Sequence, residues 1–271
     1  MMDTSAPVSH WQDLTPQQIA RLAAEDTVAV LPLAAIEQHG EHLPLSTDLD
    51  IAHGLLHAAL PRLRADVQVC VLPALAVGLS LEHADFAGTL SLNPETALAV
   101  VHQLGACVAR AGLRRLVLFN THGGNKAIVD LAALKLRAAH RMLVVRANYF
   151  RFAPPPAALP AAELRHGLHG GALETAMMWH LAPNKVRREA LANFSSLGER
   201  MAADGRRLGP EGEAGFAWMA QDLNPGGASG NAALADAALG ARLVEHFADV
   251  LAGVIEDAQD FDLGQLHDAP V

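Results

Sequence analysis

Short apolar runs alternate along this chain with longer segments whose apolar residues recur every three or four positions. Thr27–Leu33, Gln68–Val71, Leu116–Asn120 and Met142–Ala147 are apolar or β-branched almost throughout, the pattern of strands buried on both faces. Between and around them, Pro16–Glu25, Asp48–Arg64, Pro94–Ala111, Asn125–Ala139, Ala172–Leu181 and Asn231–Ala258 carry helical periodicity. Asn93-Pro94-Glu95 supplies a cap followed by proline at the first helical position, and Gly112 sits where a helix C-terminus favours glycine. Strands alternating with helices predict βαβ units and a parallel sheet with helices on both sides. Residues 153–160, A-P-P-P-A-A-L-P, cannot be helix interior or central strand, because proline lacks the amide donor and restrains its neighbour. Gly198–Gly230, glycine-rich with Pro210 and Pro225 around Phe216 and Trp218, reads as a long loop placed to fold over a site.

Composition narrows the class. The chain has 271 residues, 51% hydrophobic and 18% charged, enough apolar material for a large core. A chain of this length often folds as one α/β unit, so a single domain is expected over residues 1–271, with about ten residues at each end peripheral. The net charge of −9 argues against a nucleic-acid or membrane-surface partner, since both need cations in excess. The N-terminus lacks a signal-peptide pattern and no run of 18 apolar residues follows. Cys70 and Cys107, both in apolar sequence, read as reduced core thiols, and a cytoplasmic location is expected.

The chemistry lies at strand ends. Residues 36–50, I-E-Q-H-G-E-H-L-P-L-S-T-D-L-D, follow the first predicted strand. Glu37 and His39 are two apart and project to one side of an extended chain, while Asp48 follows a proline-containing turn and precedes a helix. They either form a solvated turn with a cap at Asp48 or converge as ligands where open sheets bind, outside the carboxyl ends of strands. Glu41 and His42 are placed in solvent or behind the ligands. Asn120 and His122 end another strand before Gly123-Gly124, which is either a plain strand-to-helix turn or a place for close backbone approach. Residues 166–178 join His169, in a glycine-flanked turn, to Glu174 near a helix start, whose positive end favours an ionised carboxylate. Three carboxylates and two imidazoles could hold two cations if one carboxylate bridges. Mixed N/O ligation without thiolate suits Zn, Mn or Fe.

In this order, the motifs E-Q-H-G-x-H-L-P-L-x-T-D at Glu37–Asp48, N-x-H-G-G-N at Asn120–Asn125 and H-x-G-x-x-E-T at His169–Thr175 resemble those of the creatininase-like amidohydrolases. Residues 78–92 give a fourth match, and the resemblance runs from about residue 27 to 240. It implies a three-layer α/β/α sandwich with a mostly parallel central sheet and a homo-oligomer, such as a hexamer. The implied enzyme carries two divalent metal ions and hydrolyses a non-peptide C–N bond of a small cyclic amide or formamide. Glu37, Asp48 and His122 would hold one ion, and His39, Asp48 and Glu174 the other. The same resemblance makes His169 the proton shuttle and places Gly123, Gly124, His83 and Thr89 against the substrate.

The chain also departs from that pattern. The family's type member has tyrosine and a metal-binding glutamate where Gly123 and Gly124 stand here, so the second ion must rest on Glu174. It also has tryptophans around its substrate, whereas Arg165 and His166 precede the shuttle turn in this chain. Creatine–creatinine interconversion, the trimming of a peptide-derived cofactor precursor, and a phosphate-binding module without catalysis are the competing readings.

Overall fold

The computed structural model describes residues 8–267. Strands β1 (Val8–His10), β2 (Val28–Leu33), β3 (Val69–Val71), β4 (Arg115–Asn120) and β5 (Leu143–Asn148) form a wholly parallel sheet in the order β1-β3-β2-β4-β5. Successive side chains of a strand point to opposite faces, and this sheet buries both. Val28 and Val30 of β2 and Val117 and Phe119 of β4 enter one core. Ala29, Leu31 and Leu33 join Leu116 and Leu118 in the other.

Nine helical segments are seen among the described residues: α1 (Pro16–Ala24), α2 (Thr47–Ala59), α3 (Pro94–Arg110), α4 (Lys126–His140), α5 (Ala161–His166), α6 (Ala172–Leu181), α7 (Leu197–Ala203), α8 (Ala220–Leu223) and α9 (Ala237–Asp260). The first core takes Ile51 and Leu55 of α2, Ala176 and Met177 of α6, and Leu243, Phe247 and Leu251 of α9. The second takes Val101 and Val108 of α3 and Val129 and Leu136 of α4. The result is the expected α/β/α sandwich. No described helix is long and apolar enough to cross a membrane.

Local chemistry moves several boundaries from their expected places. The helix read as Asp48–Arg64 starts at Thr47 and tightens into a short turn at Leu60–Arg62, where Pro61 has no amide to donate. The last long helix starts at Ala237 because Asp236 caps it, its carboxylate accepting the Leu239 amide at 2.6 Å. The predicted loop 198–230 contains α7, capped by Ser196, and α8. β1, only three residues long, and α5, which follows Pro160, gave no periodic signal. Cys70 is buried, but Cys107 is exposed on α3 beside Arg110 and is no core thiol. Both cysteines are free.

Helix α6 lies so close to α9 that a Cβ on Gly240 would sit 1.9 Å from the Ala176 carbonyl oxygen, whereas one on Gly253 of the same helix would meet nothing within 4 Å. Replacing a helix-interior glycine by alanine gains about 0.5–1 kcal/mol where space allows, and forced overpacking costs about 1–3 kcal/mol. Gly253→Ala is therefore expected to raise the melting temperature slightly and Gly240→Ala to lower it by several degrees. Thermal denaturation of both variants reads the two signs, and a shared sign would refute the close approach of α6 to α9.

Candidate metal centre

The carboxyl ends of β2, β4 and β5 finish level, with Leu33, Asn120 and Asn148 side by side. Buried amides hold the turn that follows β4. Asn120 donates to the Asn148 side chain and to the His122 carbonyl, both at 2.8 Å. Asn125 donates to the Ala34 carbonyl and accepts from the Leu79 amide. His122 is thereby fixed at the sheet edge, opposite Glu37 and His39 in the segment after β2.

Asp48 enters from the first turn of α2 and divides its oxygens: Oδ1 lies 3.6 Å from His39 Nε2 and Oδ2 3.4 Å from His122 Nδ1. Glu37 places Oε2 3.2 Å from His122 Nε2 and Oε1 3.3 Å from His83 Nε2. Glu174 reaches in from α6, where its oxygens accept the Gly170 amide at 2.6 Å and the Tyr149 hydroxyl at 3.2 Å. Three sets of candidate ligand atoms each lie within 4.8 Å of one another: Glu37, Asp48 and His122; His39, Asp48 and Glu174; and Glu37, His39 and His169. Asp48 belongs to both of the first two sets.

The donor chemistry fits divalent cations. Both Glu37 oxygens, Asp48 Oδ2 and His39 Nε2 are buried with no hydrogen-bond partner, an arrangement that costs free energy unless an ion answers it. His39 Nδ1 faces the Glu37 carbonyl at 3.1 Å, so its proton has a partner there and the Nε2 lone pair turns to the cluster. Burial pushes the Glu37 carboxyl up, but the imidazoles of His122, His83 and His169 outweigh it and hold the group well below the usual carboxylate range. Burial lowers His39 and His122, yet the surrounding carboxylates, led by Asp48 for His39 and Glu37 for His122, raise them to about 9 and about 10. For Asp48 and Glu174 burial prevails and both carboxyls are raised. For Glu174, burial acts against the pull of the helix end, and the Gly170 amide and His39 act with that pull.

His169 is buried, its ring stacked between His39 and His83 with centroids 4.1 Å from each. Its Nε2 lies 2.6 Å from the Gln38 carbonyl, leaving Nδ1 toward Glu37 Oε1 at 3.7 Å. Burial drives its pKa well below the ordinary imidazole value, so the ring is neutral. His83, also buried, is held by Gln38. The Gln38 amide oxygen accepts from Gly40 and its nitrogen donates to the Gly227 carbonyl, which orients the amide. That nitrogen lies 2.7 Å from His83 Nδ1, so Nδ1 accepts and Nε2–H is presented to Glu37. Thr89 uses its hydroxyl on the Gln38 amide at 3.2 Å. His42 is buried and pairs with the Gly170 carbonyl at 2.9 Å, while Glu41 is exposed.

The glycines act through space more than through torsion. Neither Gly123 nor Gly124 takes a positive φ. Gly123 faces open space, but a Cβ on Gly124 would lie 2.3 Å from Glu82 Oε1 and 2.4 Å from the Leu79 carbonyl oxygen. The loop 198–230 does return to this edge, where Ser229 and His169 exchange backbone hydrogen bonds at 2.6 and 3.2 Å.

Sequence reasoning missed Gln38, Glu82, Tyr149 and Glu163. Glu82 lies 3.7 Å from His122 Nε2. Glu163 accepts the amides of Ala172 and Asn231, tying α6 to the returning loop. Tyr149 had one available signal, being the sole tyrosine and falling at a strand end. Gln38 and Glu82 lie inside matched motifs, and Glu163 had no signal beyond its residue type.

Comparison with known proteins agrees with this geometry. The family model of creatinine amidohydrolase, Creatininase, matches residues 12–255. A mycofactocin precursor peptide peptidase from Mycobacterium tuberculosis is 35% identical over 176 residues, covering 63% of this chain and 64% of that protein. The match thus spans just under two thirds of that relative's length. Creatinine amidohydrolase from Pseudomonas putida is 34% identical over 183 residues, 62% of this chain and 69% of the relative. A crystal structure of creatinine amidohydrolase superposes with a TM-score of 0.75 at 27% identity, covering 93% of this chain and 98% of that one. Solved creatininases of the same shape include a zinc–zinc form and a manganese form, with TM-scores of 0.72 and 0.70 at 27% and 25% identity. The chain belongs to the creatininase family.

Proposed function

We propose that the protein is a metal-dependent amidohydrolase that cleaves the C–N bond of a small amide. The convergence of buried, unpartnered ligand atoms of Glu37, His39 and Asp48 carries this reading. Glu37, Asp48 and His122 would hold one divalent cation and His39, Asp48 and Glu174 a second, since Asp48 belongs to both sets of converging ligand atoms. Bound there, zinc or manganese supplies positive charge that polarises a carbonyl oxygen and acidifies a water.

The rest of the chemistry belongs to the chain. Neutral His169, its Nδ1 turned inward, takes a proton from the attacking water and delivers it to the departing nitrogen. His83, with Nε2 3.3 Å from Glu37 Oε1, keeps that carboxylate aimed at its partners. Tyr149 and the Gly170 amide do the same for Glu174. The returning loop, joined to the site through Gly227 and Ser229, shields the centre from bulk water. A second reading, trimming of a peptide, is favoured by the names of relatives such as the mycobacterial peptidase. A second role for His169, as a ligand, is favoured by its convergence with Glu37 and His39.

Asp48→Asn is expected to weaken metal binding by more than about 100-fold, and His42→Ala, which only supports the Gly170 turn, by about 10-fold or less. Metal content and isothermal titration of the two variants measure this, and equal losses would remove Asp48 from the shared position.

His39 and His122 are raised from 6.5 to about 9 and about 10. Their contribution to the stability of the metal-free protein is present in full below about pH 6.5 and is lost as pH rises through those values. Cation binding needs the same imidazoles neutral and strengthens with pH. The melting temperature of the zinc- or manganese-loaded protein should therefore pull further above that of chelator-treated protein between about pH 6 and pH 9. A gap that narrows over this range contradicts the ligand assignment.

His169→Ala is expected to retain both metals and lose about 10²–10⁴-fold in kcat. Metal analysis and kinetics on one preparation decide between its two roles, because loss of an ion would make His169 a ligand.

A further inference from the structure

A cavity of about 360 Å³ opens beside the His169 turn, between the end of α5 and the segment that follows α7. Arg165, Arg206 and Arg207 line it together with His166 and Leu168. Five other arginines of the chain are neutralised where they stand. Arg62, Arg64, Arg115, Arg146 and Arg187 are each paired with a carboxylate. No ion pair or side-chain hydrogen bond engages Arg165, Arg206 or Arg207 among the described residues. Two carboxylates share the wall, and one of them, Glu211, is already engaged by Lys126 at 3.6 Å. Three guanidiniums thus face a single uncommitted carboxylate, in a chain whose net charge is −9.

The cavity is tied to the reaction centre by the chain itself. Leu168, in its wall, directly precedes His169, and His166 is three residues away, so both lie within about 12 Å of the His169 Cα. None of the candidate ligand residues lines the cavity, so a substrate that joins the two has to span this chain distance past the His169 turn. Guanidinium groups bind carboxylates and phosphates through paired N–H donors. A neutral cyclic amide would leave all three unanswered.

Resting on the amidohydrolase reading, we propose that this cavity is an anion subsite, and that the substrate is an amide carrying a carboxylate or phosphate tail held by Arg165, Arg206 and Arg207. The test uses the full-length, metal-loaded protein, the double variant Arg206→Ala/Arg207→Ala, and the charge-keeping variant Arg206→Lys/Arg207→Lys. Formamides and short peptide amides are offered with a free carboxylate, a phosphate ester or an amidated end. The wild type should prefer tailed over amidated substrates by about tenfold or more in kcat/KM, the alanine pair should abolish that preference, and the lysine pair should restore part of it. Whichever tail carries the preference names its source.

Calorimetric titration with inorganic phosphate gives a readout independent of turnover, and affinity should fall about tenfold in the alanine pair. Equal phosphate affinity in wild type and alanine pair, or equal turnover of tailed and amidated substrates, would overturn the subsite. Absence of turnover with every amide would instead count against the amidohydrolase reading, and the phosphate titration would still decide the subsite.

Discussion

Glu37, Asp48 and Glu174 converge at one edge of the sheet, where imidazoles are the ion-pairing neighbours of Glu37 and Asp48 among the described residues, and the surrounding structure is organised around that concentration of carboxylates. Taking a carboxylate out of water costs several kcal/mol even after relaxation, so three of them would oppose folding unless positive charge is brought close. Two imidazoles respond in the metal-free chain, with His39 and His122 raised far above their ordinary range. Protons are a poor answer, because they consume the lone pairs that the ring orientations have prepared. His39 has its Nδ1 against the Glu37 carbonyl, and His169 its Nε2 against the Gln38 carbonyl. In its neutral form each ring thus turns a lone pair toward the carboxylates. A divalent cation satisfies those atoms and the carboxylates together, so metal binding and the stability of this sheet edge are one problem.

Holding these groups requires close backbone packing around them. A Cβ on Gly230 would lie 2.7–2.8 Å from Gly167 Cα, Gly171 Cα and Glu163 Oε1, so three glycines share the space beside one carboxylate. That carboxylate accepts the Ala172 and Asn231 amides, fixing the start of α6, and with it Glu174, relative to the loop that pairs with His169. The glycines of residues 166–171 therefore serve assembly of the α6 terminus as much as access for a ligand. Gly227, with a φ of +80°, plays the corresponding part for Gln38, whose side chain occupies the volume its Cβ would need. Through Gln38 the same loop reaches His83 and then Glu37.

What could be read from sequence follows from the range of the interactions involved. Strands β2 to β5 and the six longer helices were legible because burial on both sheet faces demands unbroken apolar runs, and a helix covering a sheet demands a periodic stripe. Clustering Glu37, His39 and Asp48 after one strand, and His122 after another, was legible because strand ends are where ligands gather. Gln38, Glu82 and Glu163 were not, since their significance lies in contacts with other segments, such as the Gln38 bonds to His83 and to the Gly227 carbonyl, 45 and 189 residues away. The loop 198–230 escaped for a related reason. Its helices are short, and its order comes from pairing with a distant turn instead of from a stripe of its own.

The contrast with the family's type member at position 124 shows how one backbone approach redistributes a ligand set. A glutamate there would need its Cβ where Glu82 Oε1 and the Leu79 carbonyl oxygen already stand, less than 2.5 Å away. The turn after β4 has closed onto the Leu79–Glu82 segment, with His122 Nε2 bonded to the Leu79 carbonyl at 2.8 Å. That contact fixes the imidazole and excludes a side chain at Gly124 by the same geometry. Glu174 on α6, from another element, is the carboxylate that converges with His39 and Asp48. Because α6 is positioned by Glu163, by its close approach to α9 at Gly240 and by the Gly170 turn, that convergence depends on the far side of the sandwich.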